Sequence, residues 1–184
     1  MGLLGLFTRR PHERAGFALY GAAVAAARQA AYFSRLGVPD TLNGRFDLVS
    51  LHVALLIARL HRDQDPAGPK LAQAVFDAMF ADMDVNLREM GVGDLVVGKR
   101  VKTMWEAFHG RAGAYEAAME AGDRAGLESA LARNVWRGDA PQAAVIELAE
   151  QCLAIRAALA AQPLPALLRG DVAFPAAPPE VLAP

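Results

Sequence analysis

An all-α, single-domain bundle of about six helices with a proline-rich C-terminal tail is the fold this sequence predicts, on three observations. Apolar residues recur with helical period along most of the chain. No stretch shows the period-two alternation and hairpin turns of half-buried strands. Gly, Pro and Asp punctuate the apolar stretches where helix ends are expected. At 184 residues the chain can bury one real core and is short for two.

Residues 1–13 are expected to form a flexible apolar and basic segment, in which MGLLGLF precedes Arg9 and Arg10. That order suits the surface of an anionic membrane. It does not suit a secretory signal, because the apolar run is short and its charges follow it. Leu6 stands where a myristoylation signal needs Ser or Thr.

The helical domain is expected over residues 14–162. Its first helix runs from about Arg14 to Arg35, is rich in alanine, and stops at Gly37 with Pro39 just beyond. Asp47 is then expected to cap a helix reaching about Arg62. That helix has almost no polar face, which places it in the middle of the bundle. After the loop DQDPAGP, a helix over about Lys70 to Met90 carries Phe76, Phe80, Met83, Leu87 and Met90 along one stripe. Asp84 and Arg88 pair on another stripe at the favourable i,i+4 spacing.

Gly91-Val92-Gly93 breaks that helix, and Asp94 is expected to cap the next, about Leu95 to Ala121. Asp123 caps a shorter helix through about Trp136, ended by Gly138, and Pro141 opens a last helix reaching about Ala161. Residues 163–184, with Pro163, Pro165, Pro175, Pro178, Pro179 and Pro184, read as an irregular or disordered tail.

Charge excludes some functions. The net charge of -1 conceals basic blocks at residues 1–62 and 91–111 and acidic blocks at 63–90 and 112–184. Alternating blocks give a surface of separate patches, unlike the single sign of a general nucleic-acid binder. No apolar run reaches the roughly 18 residues that cross a bilayer. Cys152 is the sole cysteine, so an intrachain disulfide and a cysteine zinc site are both excluded. It reads as a small buried hydrophobe in a reducing, cytoplasmic setting, with peripheral contact at the inner membrane left to the N-terminal segment.

Chemistry-bearing residues are few. His52 lies inside the most apolar helix, where it reads either as a haem or metal ligand or as a core histidine held by its neighbours. His109 is a second candidate ligand, although no two histidines share the i,i+4 spacing of a metal pair. Asp82 and Asp84 point about 200° apart on a helix and cannot share one ion. GVGDLVVGK, residues 91–99, lacks the spacing of a phosphate loop, since Arg100 follows Lys99 and no strand precedes it. No catalytic set and no cofactor are expected.

The two glycine-punctuated stretches carry a different signal. GVPDTLNGRFDLVSLHV at residues 37–53 and FDAMFADMDVNLREMGVGDLVVGKRVKTMWEAFHGRAGAY at 76–115 contain GVPDT, GRFD, DMDVNLREMGVGD and FHGR. Over about Ala31 to Glu120 the chain resembles the ubiquinol-cytochrome c chaperone family, the cytochrome b assembly factors of respiratory complex III. The resemblance implies a non-enzymatic chaperone that binds a client polypeptide, cytochrome b or its nascent chain. The mitochondrial members act near the ribosomal tunnel exit with a small partner protein, so the ribosome and such a partner are implied as well. Without a long leading segment, this sequence is expected to be a bacterial relative.

The resemblance also makes the charges beside the glycine breaks candidate partner contacts: Asp40 and Arg45 at the first, and Asp82, Asp84, Arg88, Lys99, Arg100 and Lys102 at the second. Asp47 and Asp94 are assigned to helix capping. Met79, Met83, Met90, Met104 and Met119 lie on or beside apolar stripes, where adaptable client surface and ordinary core packing explain them equally. A haem- or metal-binding bundle using His52 or His109 is the alternative function.

Overall fold

The computed structural model describes residues 12–178, and the N-terminal segment up to residue 11 and the prolines beyond residue 178 lie outside the described residues. Eight helices and no strand occur among the described residues. They are α1 (Glu13–Ala27), α2 (Ala30–Ser34), α3 (Leu42–His61), α4 (Ala67–Glu89), α5 (Asp94–Ala121), α6 (Arg124–Val135), α7 (Gln142–Ala160) and α8 (Leu164–Leu168). The six expected helical segments are all present, the first as two helices.

The alanine-rich first segment has no intrinsic reason to break. Tertiary contacts interrupt it instead. Gln29 is extended (φ -62°, ψ 133°), its side-chain oxygen accepts from the Ala177 amide at 2.7 Å, and Tyr32 turns inward to the buried His52.

Helix α3 is the axis of the bundle and packs against α1, α4, α5, α6 and α7. Leu48, Leu51, Val53, Leu56 and Leu60 are wholly inaccessible, as the missing polar face requires. It begins earlier than expected, and the cap is Thr41, not Asp47. The Thr41 hydroxyl accepts from the Gly44 amide at 3.2 Å, so Asp47 falls inside the helix. The early start depends on Gly44, because a Cβ there would lie 2.0 Å from the Pro39 carbonyl oxygen. A second close approach lets α1 lie against α4, where a Cβ on Gly16 would meet Ala74 at 2.7 Å.

Helix α5 starts from Gly93, also correcting the expected cap. Asp94 is the first helical residue and makes no side-chain capping bond, though its charge favours the positive end of the helix. Asp123 does cap α6, accepting from the Gly126 amide at 2.8 Å.

The tail expected to be irregular or disordered contains the short helix α8 and then, over residues 171–178, irregular chain that packs on the core. Leu164 and Leu167 of α8 are buried, and Phe174 and Ala177 pack on the core. Proline-rich backbone makes little secondary structure of its own, and here glutamine side chains supply the missing partners. Gln162 exchanges two bonds with Ala173, each 2.8 Å, and Gln151 donates to the Ala176 carbonyl at 2.8 Å. None of the described helices is long and apolar enough to cross a membrane.

Candidate functional site

Helices α1, α3, α4 and α5 leave an open groove of about 720 Å³ between them. Its floor is apolar, with Phe46 and Val49 from α3, Met83 and Leu87 from α4, and Met104 and Ala107 from α5. Three large apolar residues stand exposed at its edge: Leu42 (63%), Met90 (51%) and Val96 (46%). Arg28, Arg45, Lys99, Arg100, Arg111 and Arg137 supply positive charge around it.

Asp47 anchors the site. Its side chain is 2% exposed and receives both Arg111, from α5, and Arg137, from the loop after α6, the latter at 3.3 Å. Burial is the dominant influence and raises its carboxyl above the ordinary range, against the two guanidiniums that favour the charged form. Arg111 also lies over the Phe46 ring, 5.9 Å from its centroid. Arg137 has φ 61°, a left-handed conformation that costs a non-glycine residue about 1 kcal/mol, and its side chain is 59% exposed. Its guanidinium meets the buried Asp47 on one side and stands at the groove on the other.

On the other wall the Tyr20 hydroxyl donates to Asp82 at 2.6 Å, tying α1 to α4. Burial and then Asp82 push the Tyr20 phenol up, so it stays a donor.

The structure gathers four of the candidate contacts, Arg45, Asp82, Lys99 and Arg100, around this groove. Asp40 sits just outside, accepting from Arg45 at 2.5 Å, and that guanidinium holds the exposed Asp40 carboxyl below its usual range. Asp84, Arg88 and Asp94 form a separate exposed cluster: Arg88 spans from Asp84, at 2.6 Å, across the glycine turn to Asp94. Lys102 faces away and lies 3.8 Å from Glu106. Asp47, read from sequence as a cap, is the buried centre of the site. Sequence reasoning passed over Arg28, Phe46, Arg111 and Arg137. Signals existed for three of them, since Phe46 lies in GRFD, Arg111 in FHGR, and Arg137 directly before Gly138.

A second cavity, about 460 Å³, is lined by Arg59, Arg62 and Arg156, but their guanidiniums are consumed within the fold. Arg59 donates to the Leu159 and Gln162 carbonyls at the end of α7 and to Asp63, Arg62 to Glu116 and Glu120, and Arg156 to the Met119 carbonyl. Arg59 and Arg156 thereby satisfy carbonyls near helix ends, and Arg62 ties α3 to α5. By contrast, Arg28, Lys99 and Arg100 have no carboxylate partner among the described residues.

The histidines do not form a ligand set. His52 Nδ1 donates to the Leu48 carbonyl at 2.8 Å, which leaves Nε2 to accept from the Tyr32 hydroxyl at 3.3 Å. Both nitrogens are in use inside the core, and burial lowers the His52 pKa to about 4. His109 is exposed, bonds the Trp105 carbonyl through Nδ1 and lies against the Trp105 ring, with centroids 4.1 Å apart. No cluster of three His, Cys, Asp or Glu side chains suited to a metal occurs among the described residues. Burial pushes the Cys152 thiol up to about 12, which leaves it unreactive.

The solved Cbp3 homolog from Brucella abortus has the same fold, with a TM-score of 0.79 and 37% identity over 89% of this chain and 90% of that one. A stretch of 104 residues is 27% identical to ubiquinol-cytochrome-c reductase complex assembly factor 1 of Xenopus laevis, taking in 56% of this chain and 51% of that protein. The chain thus spans about half the length of that relative. The family described as ubiquinol-cytochrome C chaperone matches residues 34–174, which hold all of the groove lining except Tyr20 and Arg28. By that match the chain belongs to the ubiquinol-cytochrome C chaperone family, a family of chaperones and not of enzymes.

Proposed function

We propose that the protein is an assembly chaperone for respiratory complex III and that its client is cytochrome b, held at the face that carries the groove. The single observation behind this reading is that the family match encloses nearly the whole groove. An apolar floor with three methionines at floor and edge suits a client that exposes apolar surface until it is assembled. The charged residues around the floor, Arg45, Asp82, Lys99 and Arg100, then set orientation and selectivity. Asp40 pairs with Arg45 beside the groove, and Asp84, Arg88 and Lys102 are candidate contacts outside it. A ribosome and a small partner protein are further contacts that the resemblance implies, and a membrane surface is one that the order of the N-terminal segment suits.

Crosslinked pull-down of the full chain from the native membrane fraction tests the client. Cytochrome b is expected to be enriched over unrelated membrane proteins, and a deletion strain is expected to lose assembled complex III while other respiratory complexes persist. Normal complex III in that strain rejects the reading.

A further inference from the structure

The charge of the groove narrows what can occupy it. Six cations line it against two carboxylates, and both carboxylates are engaged, Asp47 by Arg111 and Arg137 and Asp82 by the Tyr20 hydroxyl. Arg28, Lys99 and Arg100 keep a positive rim on an apolar floor.

Three kinds of occupant fit badly. A small hydrated anion would satisfy the rim and leave the floor wet. A wholly apolar membrane-spanning segment would cover the floor but press desolvated cations against hydrocarbon, which is unfavourable. Cytoplasmic loops of membrane proteins are enriched in Lys and Arg, and these would be repelled. An amphipathic helix with acidic residues flanking its apolar face satisfies floor and rim together, and helix-in-groove recognition commonly uses methionine-rich floors.

We propose that the groove binds an acidic amphipathic helix of a partner polypeptide, its apolar face on Phe46, Met83, Leu87 and Met104 and its carboxylates on Arg28, Lys99 and Arg100. The inference rests on the reading of this face as the partner surface and adds the chemistry of the partner.

A helical peptide of about 18 residues, five turns, with Leu on one face and Glu flanking it, tests this against the full chain by fluorescence anisotropy. The Glu peptide is expected to bind, more weakly as salt rises. The same peptide with Lys for Glu, and the double variant K99E/R100E with the Glu peptide, are each expected to lose about tenfold in affinity or more. Lys70→Glu, an exposed charge elsewhere on α4, is expected to stay within about twofold. Equal affinity for the Lys peptide overturns the proposal. So does binding of phosphatidylglycerol vesicles that depends on Lys99 and Arg100 while the Glu peptide fails, since the occupant is then an anionic membrane. If peptide binding fails while cytochrome b is still captured, this inference alone falls. If the peptide binds and cytochrome b is not captured, the client assignment falls instead.

Discussion

His52 is a buried titratable group with both ring nitrogens bonded inside the core. It is 1% exposed, and its neutral form is fixed by a donated bond to Leu48 and an accepted one from Tyr32. The folded pKa of about 4 lies below the unfolded value near 6.5, so between those pH values the unfolded chain binds a proton that the folded chain refuses. The contribution is therefore complete above about pH 6.5, declines as pH falls, and is fully lost only below about pH 4. Its size is roughly 3 kcal/mol. His52→Leu is expected to be less stable at pH 7, because the Tyr32 hydroxyl loses a partner, yet to show a flatter stability profile from pH 6.5 to 4. Urea denaturation across that range measures the slope, and an unchanged slope in the variant would show that other groups carry the dependence. The sequence left two roles open for this histidine, because periodicity reports that a position is buried and not what a polar group there bonds. The same blindness hid Asp47. Its partners lie 64 and 90 residues away in sequence, and only folding brings them to it.

Helices were more legible than their ends. The central α3 was readable because an apolar residue at nearly every position has only one place to go, and α4 to α7 followed from stripes and glycine breaks. The start of α3 was misplaced because Asp47 alone was read as its cap. Thr41 takes that role because Gly44, whose missing side chain admits the Pro39 carbonyl, lets the helix begin about a turn and a half earlier. This separates two substitutions in one turn. Thr41→Ala removes one bond to a helix terminus and is expected to cost about 1 kcal/mol. Gly44→Ala places a methyl group 2.0 Å from backbone that has no flexible side chain to yield, and is expected to cost about 3 kcal/mol. Thermal denaturation of both variants ranks them. A Gly44→Ala protein no less stable than Thr41→Ala would mean that the chain before α3 can move aside freely.

At the scale of the whole molecule, composition misled most at the C-terminal end, where a run of prolines follows the last predicted helix. Residues 171–178 form a strap whose order comes from elsewhere in the chain, from Gln29, Gln151 and Gln162, and whose Phe174 ring sits 5.8 Å from the His52 ring. No residue of the strap lines the groove, so the strap acts on the core and not on the partner surface. Truncation after Gly170 removes four hydrogen bonds to glutamine side chains and the cover over His52. At about 1 kcal/mol for each bond, less what water restores, a loss of about 2–4 kcal/mol is expected. The more specific consequence concerns protonation. Burial is the main cause of the low His52 pKa, so admitting water where Phe174 stood moves the pKa upward from about 4 toward 6.5. Histidine proton resonances followed against pH read that shift directly in the truncated chain. Phe174→Ala, which keeps the strap backbone, is expected to show a smaller shift in the same direction and serves if the truncation unfolds. A His52 titration identical to that of the full chain in Phe174→Ala would place its burial in the helices alone. The strap would then be a stabilising tie with no part in keeping the core dry.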